Sequence, residues 1–178
     1  ADSAGSDLPQ AASAPDNLFN LTPSEGLFKA EPEFDPVLER FMAGVLAHLS
    51  RLLCFTAPSP TSFLRFGAGC WAGAYKFWGV SNKEAPLRIP LPPNPASKAT
   101  NFEIKCMDSS ACPYLALAAI VAAGVDGVKK EMKLPKPCQV DPGSLSEAER
   151  SEAGIEEFPP SLNEAFDLLD GEEAAPIK

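Results

Sequence analysis

Between positions 35 and 53 the apolar side chains return at Val37, Phe41, Val45, Leu49 and Leu52, the spacing of one helix face. Asp35 is a candidate cap and Pro36 suits the first helical position, so the pattern predicts a helix over 35–53. His48 lies beside the apolar stripe and is expected to be packed and hydrogen-bonded, with no catalytic part. At 99–107, ATNFEIKCM, the period changes to two. Asn101, Glu103 and Lys105 share one face of a strand, and Phe102, Ile104 and Cys106 share the other. If the second face is buried, the polar trio faces water or a cavity. Directly after it comes a run that is apolar on all sides through Val125. Pro113 suits its first turn and Pro135 lies beyond its end, so it predicts a long, central, buried helix over about 112–133. Asp108, Ser109 and Ser110 are its cap candidates. Ser161-Leu162-Asn163-Glu164 has capping-box spacing and opens a last helix near 161–169.

The 19 prolines punctuate what lies between. Residues 1–33 have the Ala/Ser/Pro/Asp composition of a poorly ordered arm. Prolines in 57–66 argue against a helix there and for a short extended segment ending near Arg65. Residues 67–79 combine glycines with both tryptophans and read as a loop, and 84–93 as a brief strand stopped by proline and carrying Arg88. Residues 134–158 read as an acidic loop with a short helix after Ser144, and 171–178 as a tail. The expected fold is α+β, with one domain over 34–170 whose short antiparallel strands are backed by the long helix.

Charge and composition narrow the function. A formal net charge of −9 argues against nucleic-acid or anionic-membrane partners. The longest apolar run, 111–125, has 15 residues, short of the ~20 that a membrane span needs. Five cysteines without a C-x-x-C pair read as free thiols, largely buried, in a reducing and cytoplasmic setting. The remaining candidates are cations on short strands and loops, Arg65, Lys83, Arg88, Lys98 and Lys105, around one strand carboxylate, Glu103. Several cations about one carboxylate suit phosphate and metal chemistry. Taken singly, each is as well explained by a surface charge or a weak ion pair.

The order of motifs, however, resembles the carboxyl-terminal part of the catalytic domain of glutamine synthetase, closest to the fungal and plant branch often fused to an amidohydrolase. DNLF at 16–19 and FMAGVLAHL at 41–49 carry the resemblance, with APSPTSFLRFGAGCWAGAYKFWG at 57–79, SNKEAPLRIP at 81–90 and TNFEIKCMDSSACPYLALAAIVAAGVDGV at 100–128. It implies an ATP-dependent ligase that joins glutamate to ammonia or an amine through a γ-glutamyl phosphate. By position it implies catalytic roles for Arg65 and Lys105 and contacts from Lys83, Arg88 and Lys98 to the nucleotide phosphates. Glu103 would be a ligand to Mg²⁺ or Mn²⁺. Lys83 and Lys105 stand where arginine is usual and keep the charge without the bidentate fork. Thr61 and Cys112 replace asparagines, and Phe63 a tyrosine. The family's E-x-E and H-x-H-x-S-L strands are not found in this sequence. The resemblance therefore implies a piece inactive alone, dependent on an amino-terminal half or on neighbouring subunits, and marginally stable or self-associating. A non-catalytic scaffold of the same descent is the alternative.

Overall fold

The computed structural model describes residues 35–67, 70, 73–90 and 101–177. The arm at 1–33 and Lys98 lie outside the described residues.

Helix α1, Pro36–Thr56, forms where the apolar period predicted it and runs three residues further. The Asp35 carboxylate accepts from the Val37 and Leu38 amides at 2.8 and 3.4 Å, satisfying two of the donors a helix leaves open at its start. Met42, Val45, Leu49, Leu52 and Leu53 are buried and form the spine of the main core. Val37, at the exposed start of the stripe, is not part of it.

Helix α2, Pro113–Lys129, packs along α1. The contact is backbone to backbone. A Cβ on Gly44 would stand 2.2 Å from the Ala123 carbonyl oxygen, and one on Gly127 would stand 2.2 Å from that of Arg40. Gly124 gives the same room to the Phe41 ring. The buried residues of α2 are Ala116, Ala119, Ala123, the two glycines and Asp126, with Ile120 and Ala122 partly buried against the core. The expectation of a helix buried all round is therefore corrected: Tyr114, Leu115, Leu117, Val121 and Val125 are exposed. Small residues are what so close a crossing accepts, and the large ones are left on the opposite face. The helix also ends earlier than expected. Glu131 takes a left-handed φ of 51°, and the Met132 amide returns to the Gly127 carbonyl at 2.9 Å, closing the end in the manner of a Schellman motif.

Four short strands follow the proline-rich middle of the chain. β1 is Tyr75–Lys76, β2 Trp78–Val80, β3 Leu87–Ile89 and β4 Glu103–Ile104. β3 is central: it pairs in parallel with β2 and antiparallel with β4. The sheet is thus mixed, which corrects the all-antiparallel expectation. β1 pairs antiparallel with β5, Glu156–Glu157.

Other segments also depart from the sequence reading. Residues Pro60–Arg65 form a 3-10 turn, because a proline at a first helical position starts a helix as readily as it breaks one. The acidic stretch contains α3, Glu147–Glu152, capped by Ser146 in a capping box with Glu149, two positions beyond the expected cap. Helix α4, Leu162–Asp170, starts at Ser161 as expected. What read as a tail is a 3-10 turn, Glu172–Ile177, that buries Ala174 and Ile177 against the main core. Cys54, Cys106 and Cys138 are buried free thiols, while Cys112 is exposed. Burial pushes the Cys106 thiol up to about 12. Among the described residues no helix is long and apolar enough to cross a membrane.

Candidate functional site

The site grows from the β3–β4 register. Arg88 lies opposite Glu103, and both side chains leave the same face of the pleat. The guanidinium donates twice to one carboxylate oxygen, from Nε at 2.9 Å and from Nη2 at 2.7 Å. That hydrogen bond, with the positive charges of Arg88 and Lys105, holds the Glu103 carboxyl below its ordinary range. Lys105 extends the pairing: its amide donates to the Pro86 carbonyl at 2.8 Å. Its ammonium donates to the Lys83 carbonyl, tying the link between β2 and β3 to β4. Burial and then the Arg88 charge lower the Lys105 pKa, against the opposing pull of Glu84 and Glu103.

Three of the residues expected at the site, Arg88, Glu103 and Lys105, thus share one sheet face. Lys83 is joined to them through its backbone, with its side chain exposed. Arg65 stands in a different cluster. It closes the 3-10 turn, lies over the Phe66 ring at 6.0 Å, and reaches the Asp108 carboxylate at 3.3 Å. Burial pushes the Asp108 carboxyl up, but hydrogen bonds from Ser110 and Ser62 and the charge of Arg65 hold it below the ordinary value. The Asp108 amide donates to the Thr56 carbonyl at the end of α1, fixing where this cluster sits.

Asp108, Ser109 and Ser110 are the cap candidates for the long helix in the sequence. Cys112 occupies that position instead, without a side-chain cap, and Asp108 holds the turn through Ser110 and the Arg65 guanidinium. The signal was present: Asp108 comes three residues after Lys105, at the aspartate of the motif that carries the resemblance.

Mg²⁺ takes an octahedron of about six oxygens. Glu103 offers one carboxylate, already engaged by Arg88, and no group of three possible ligands stands together among the described residues. These residues do not fit a divalent cation on their own. What the arrangement does offer is a rigid cationic edge with one carboxylate, suited to multiply charged oxyanions.

Residues 23–176 match the family model described as glutamine synthetase, catalytic domain. The chain belongs to the glutamine synthetase family. It is 42% identical over 128 residues to the gamma-glutamylpolyamine synthetase GlnA3 of Streptomyces coelicolor, covering 71% of this chain and 28% of that one. It is 40% identical over 138 residues to protein fluG of Emericella nidulans, covering 76% and 15%. A solved structure described as a novel glutamine synthase homolog superposes with a TM-score of 0.63 at 32% identity, covering 85% of this chain and 33% of that one. The chain therefore spans a third or less of the length of these glutamine synthetase relatives. The α+β expectation stands: helices and short strands in the arrangement of part of the family's catalytic domain.

Proposed function

We propose that this chain supplies phosphate- and acyl-binding strands to an ATP-dependent ligase that joins glutamate to ammonia or an amine. The observation that carries the reading is the Arg88–Glu103 pair opposed across β3 and β4, with Lys105 on the same face. Family membership supplies the reaction class. In it, a γ-carboxylate oxygen of glutamate attacks the terminal phosphorus of ATP, and the bond to the bridging oxygen breaks to release ADP. The amine nitrogen then attacks the acyl carbon, inorganic phosphate leaves, and a proton passes from nitrogen to a base.

Charge builds on the phosphoryl oxygens in the first step and on the departing phosphate in the second. Arg88, Lys83 and Lys98 neutralise the former in this reading, and Arg65 and Lys105 hold glutamate and its acyl phosphate. Glu103 keeps the cations spaced. It would offer one oxygen if Mg²⁺ or Mn²⁺ were held there, and the other ligands would have to come from outside the described residues, from the rest of the catalytic fold or a neighbouring subunit. The chain alone is therefore expected to be inactive.

A scaffold descended from the ligase is the second reading. It is favoured by the internal engagement of both clusters, since Asp108 already holds Arg65 and Arg88 already holds Glu103. Glutamate-dependent ADP release with hydroxylamine as the amine distinguishes the two. It is measured for the chain alone and mixed with a polypeptide carrying the remainder of the family's catalytic domain. Turnover in the mixture that Arg88→Gln abolishes supports the ligase. A mixture that associates but never releases ADP supports the scaffold.

A further inference from the structure

A cavity of about 520 Å³, within the range that holds small ligands, lies between α1, β5 and α4. None of Arg65, Lys83, Arg88, Glu103 or Lys105 lines it. Phe158, Pro159, Pro160 and Leu168 give it an apolar side, and Phe158 is anchored in the main core. Ser50 of α1 also lines it. That residue is only 9% exposed, and its hydroxyl makes no hydrogen bond among the described residues. A hydroxyl placed so deep calls for a partner, and the cavity is where one can reach it.

The charge of the lining is negative. It holds four carboxylates, Glu156, Glu157, Glu164 and Asp167, and two cations, Lys76 and Arg51. Both cations are already matched. Lys76 Nζ lies 2.6 Å from Glu156, and Arg51 pairs with Glu173, which does not line the cavity, and donates to the Leu168 and Ala47 carbonyls. Glu164 accepts from the Ser161 hydroxyl at the start of α4. Glu157 and Asp167 have no cationic partner among the described residues.

We propose that this cavity binds a small alkylguanidinium cation, its flat head at Ser50, Glu157 and Asp167 and its alkyl chain against Phe158 and Leu168. A metal ion does not suit the acids, since no three possible ligands stand together among the described residues. An ammonium is a strongly hydrated point charge and is costly to bring against apolar walls. Guanidinium is planar and more weakly hydrated, and its five N–H donors reach acceptors that do not converge on one point. The Ser50 oxygen accepts one of them, and the chain gains by the apolar area it removes from water. The site goes beyond the ligase reading and is independent of it, because it uses no residue assigned there.

The test uses amide chemical shifts of the whole chain titrated with butylguanidinium, with butylammonium as the charge-matched analogue and butylurea as the neutral planar one. Salt of about 0.15 M, where the Debye length is about 8 Å, suppresses diffuse attraction to an acidic chain. Butylguanidinium is expected to shift Ser50, Arg51, Glu157, Phe158, Asp167 and Leu168 saturably, and both analogues to bind about tenfold more weakly. Ser50→Ala should weaken binding about fivefold, and Glu157→Gln with Asp167→Asn about tenfold. Both variants should keep the parent spectrum away from the cavity, since alanine suits a helix and the two amides are isosteric at exposed positions. Absence of saturable shifts at these residues, equal binding of butylammonium or butylurea, or unchanged binding in both variants would overturn the proposal.

Discussion

Gly44 and Gly127 meet where the two long helices touch: a Cβ on Gly127 would come within 2.5 Å of the Gly44 amide nitrogen, and one on Gly44 within 2.7 Å of the Gly127 Cα. No rotamer change relieves such a clash, because both partners are backbone. Gly44→Ala or Gly127→Ala should force the helices apart and cost about 3 kcal/mol, the upper end of overpacking penalties. In thermal unfolding this reads as a fall of roughly 6–12 °C for a chain of this size. Gly67→Ala, with nothing within 4 Å, should leave the midpoint unchanged.

A buried polar contact crosses the same interface. His48 Nε2 lies 2.9 Å from Asp126 Oδ2, which also accepts from Lys130 at 2.9 Å. An ionised carboxylate only accepts, so His48 carries its proton on Nε2, and Nδ1 has no partner among the described residues. Asp126→Ala leaves that donor buried and unpaired, at a cost of about 3 kcal/mol.

The pH dependence follows from Asp126 itself. Burial pushes its carboxyl up, but the hydrogen bonds from His48 and Lys130 outweigh it and hold the pKa below the ordinary value. A depressed carboxylate contributes stability that is present above its unfolded pKa of about 3.9 and is lost as pH falls through the lower folded value. The melting temperature should therefore drop below pH 4, and drop less steeply in Asp126→Asn.

Thiol reactivity should separate the cysteines. Burial pushes Cys54 to about 11 and Cys106 to about 12, so at pH 8 neither is an accessible thiolate. Cys112, exposed ahead of α2, should take up iodoacetamide first in the native chain. Cys54, Cys106 and Cys138 should label only on unfolding. Mass mapping of the labelled peptides checks the order.

The helices were legible because their signals are local. Asp35-Pro36 and Ser161 with Glu164 name their own starts, and the period of three to four names the α1 face. Local pattern also placed Glu103 and Lys105 on one face, and the structure keeps them there. It could not say that β2 and β3 run parallel, because that depends on how the chain folds back between Ser81 and Pro86. Nor could it say which side of α2 is buried, since Leu117 and Ala119 look equally apolar in sequence and the close approach at Gly44 of α1 decides between them. The sequence groups Arg65 with the cations about Glu103, and could not show that Arg65 pairs with Asp108. Long-range pairing is where one-dimensional reading stops.

The Arg88–Glu103 pair should matter little for stability. Both side chains are partly exposed, and such pairs contribute at most about 1 kcal/mol after screening by solvent. Arg88→Gln should therefore fold like the parent and serve as a clean probe of binding.

Amide-shift mapping with AMP-PNP and Mg²⁺ tests the central claim most directly. The account predicts shifts concentrated at Leu87–Ile89 and Glu103–Lys105, absent in Arg88→Gln. Shifts elsewhere only, or a response that Arg88→Gln leaves intact, would contradict it.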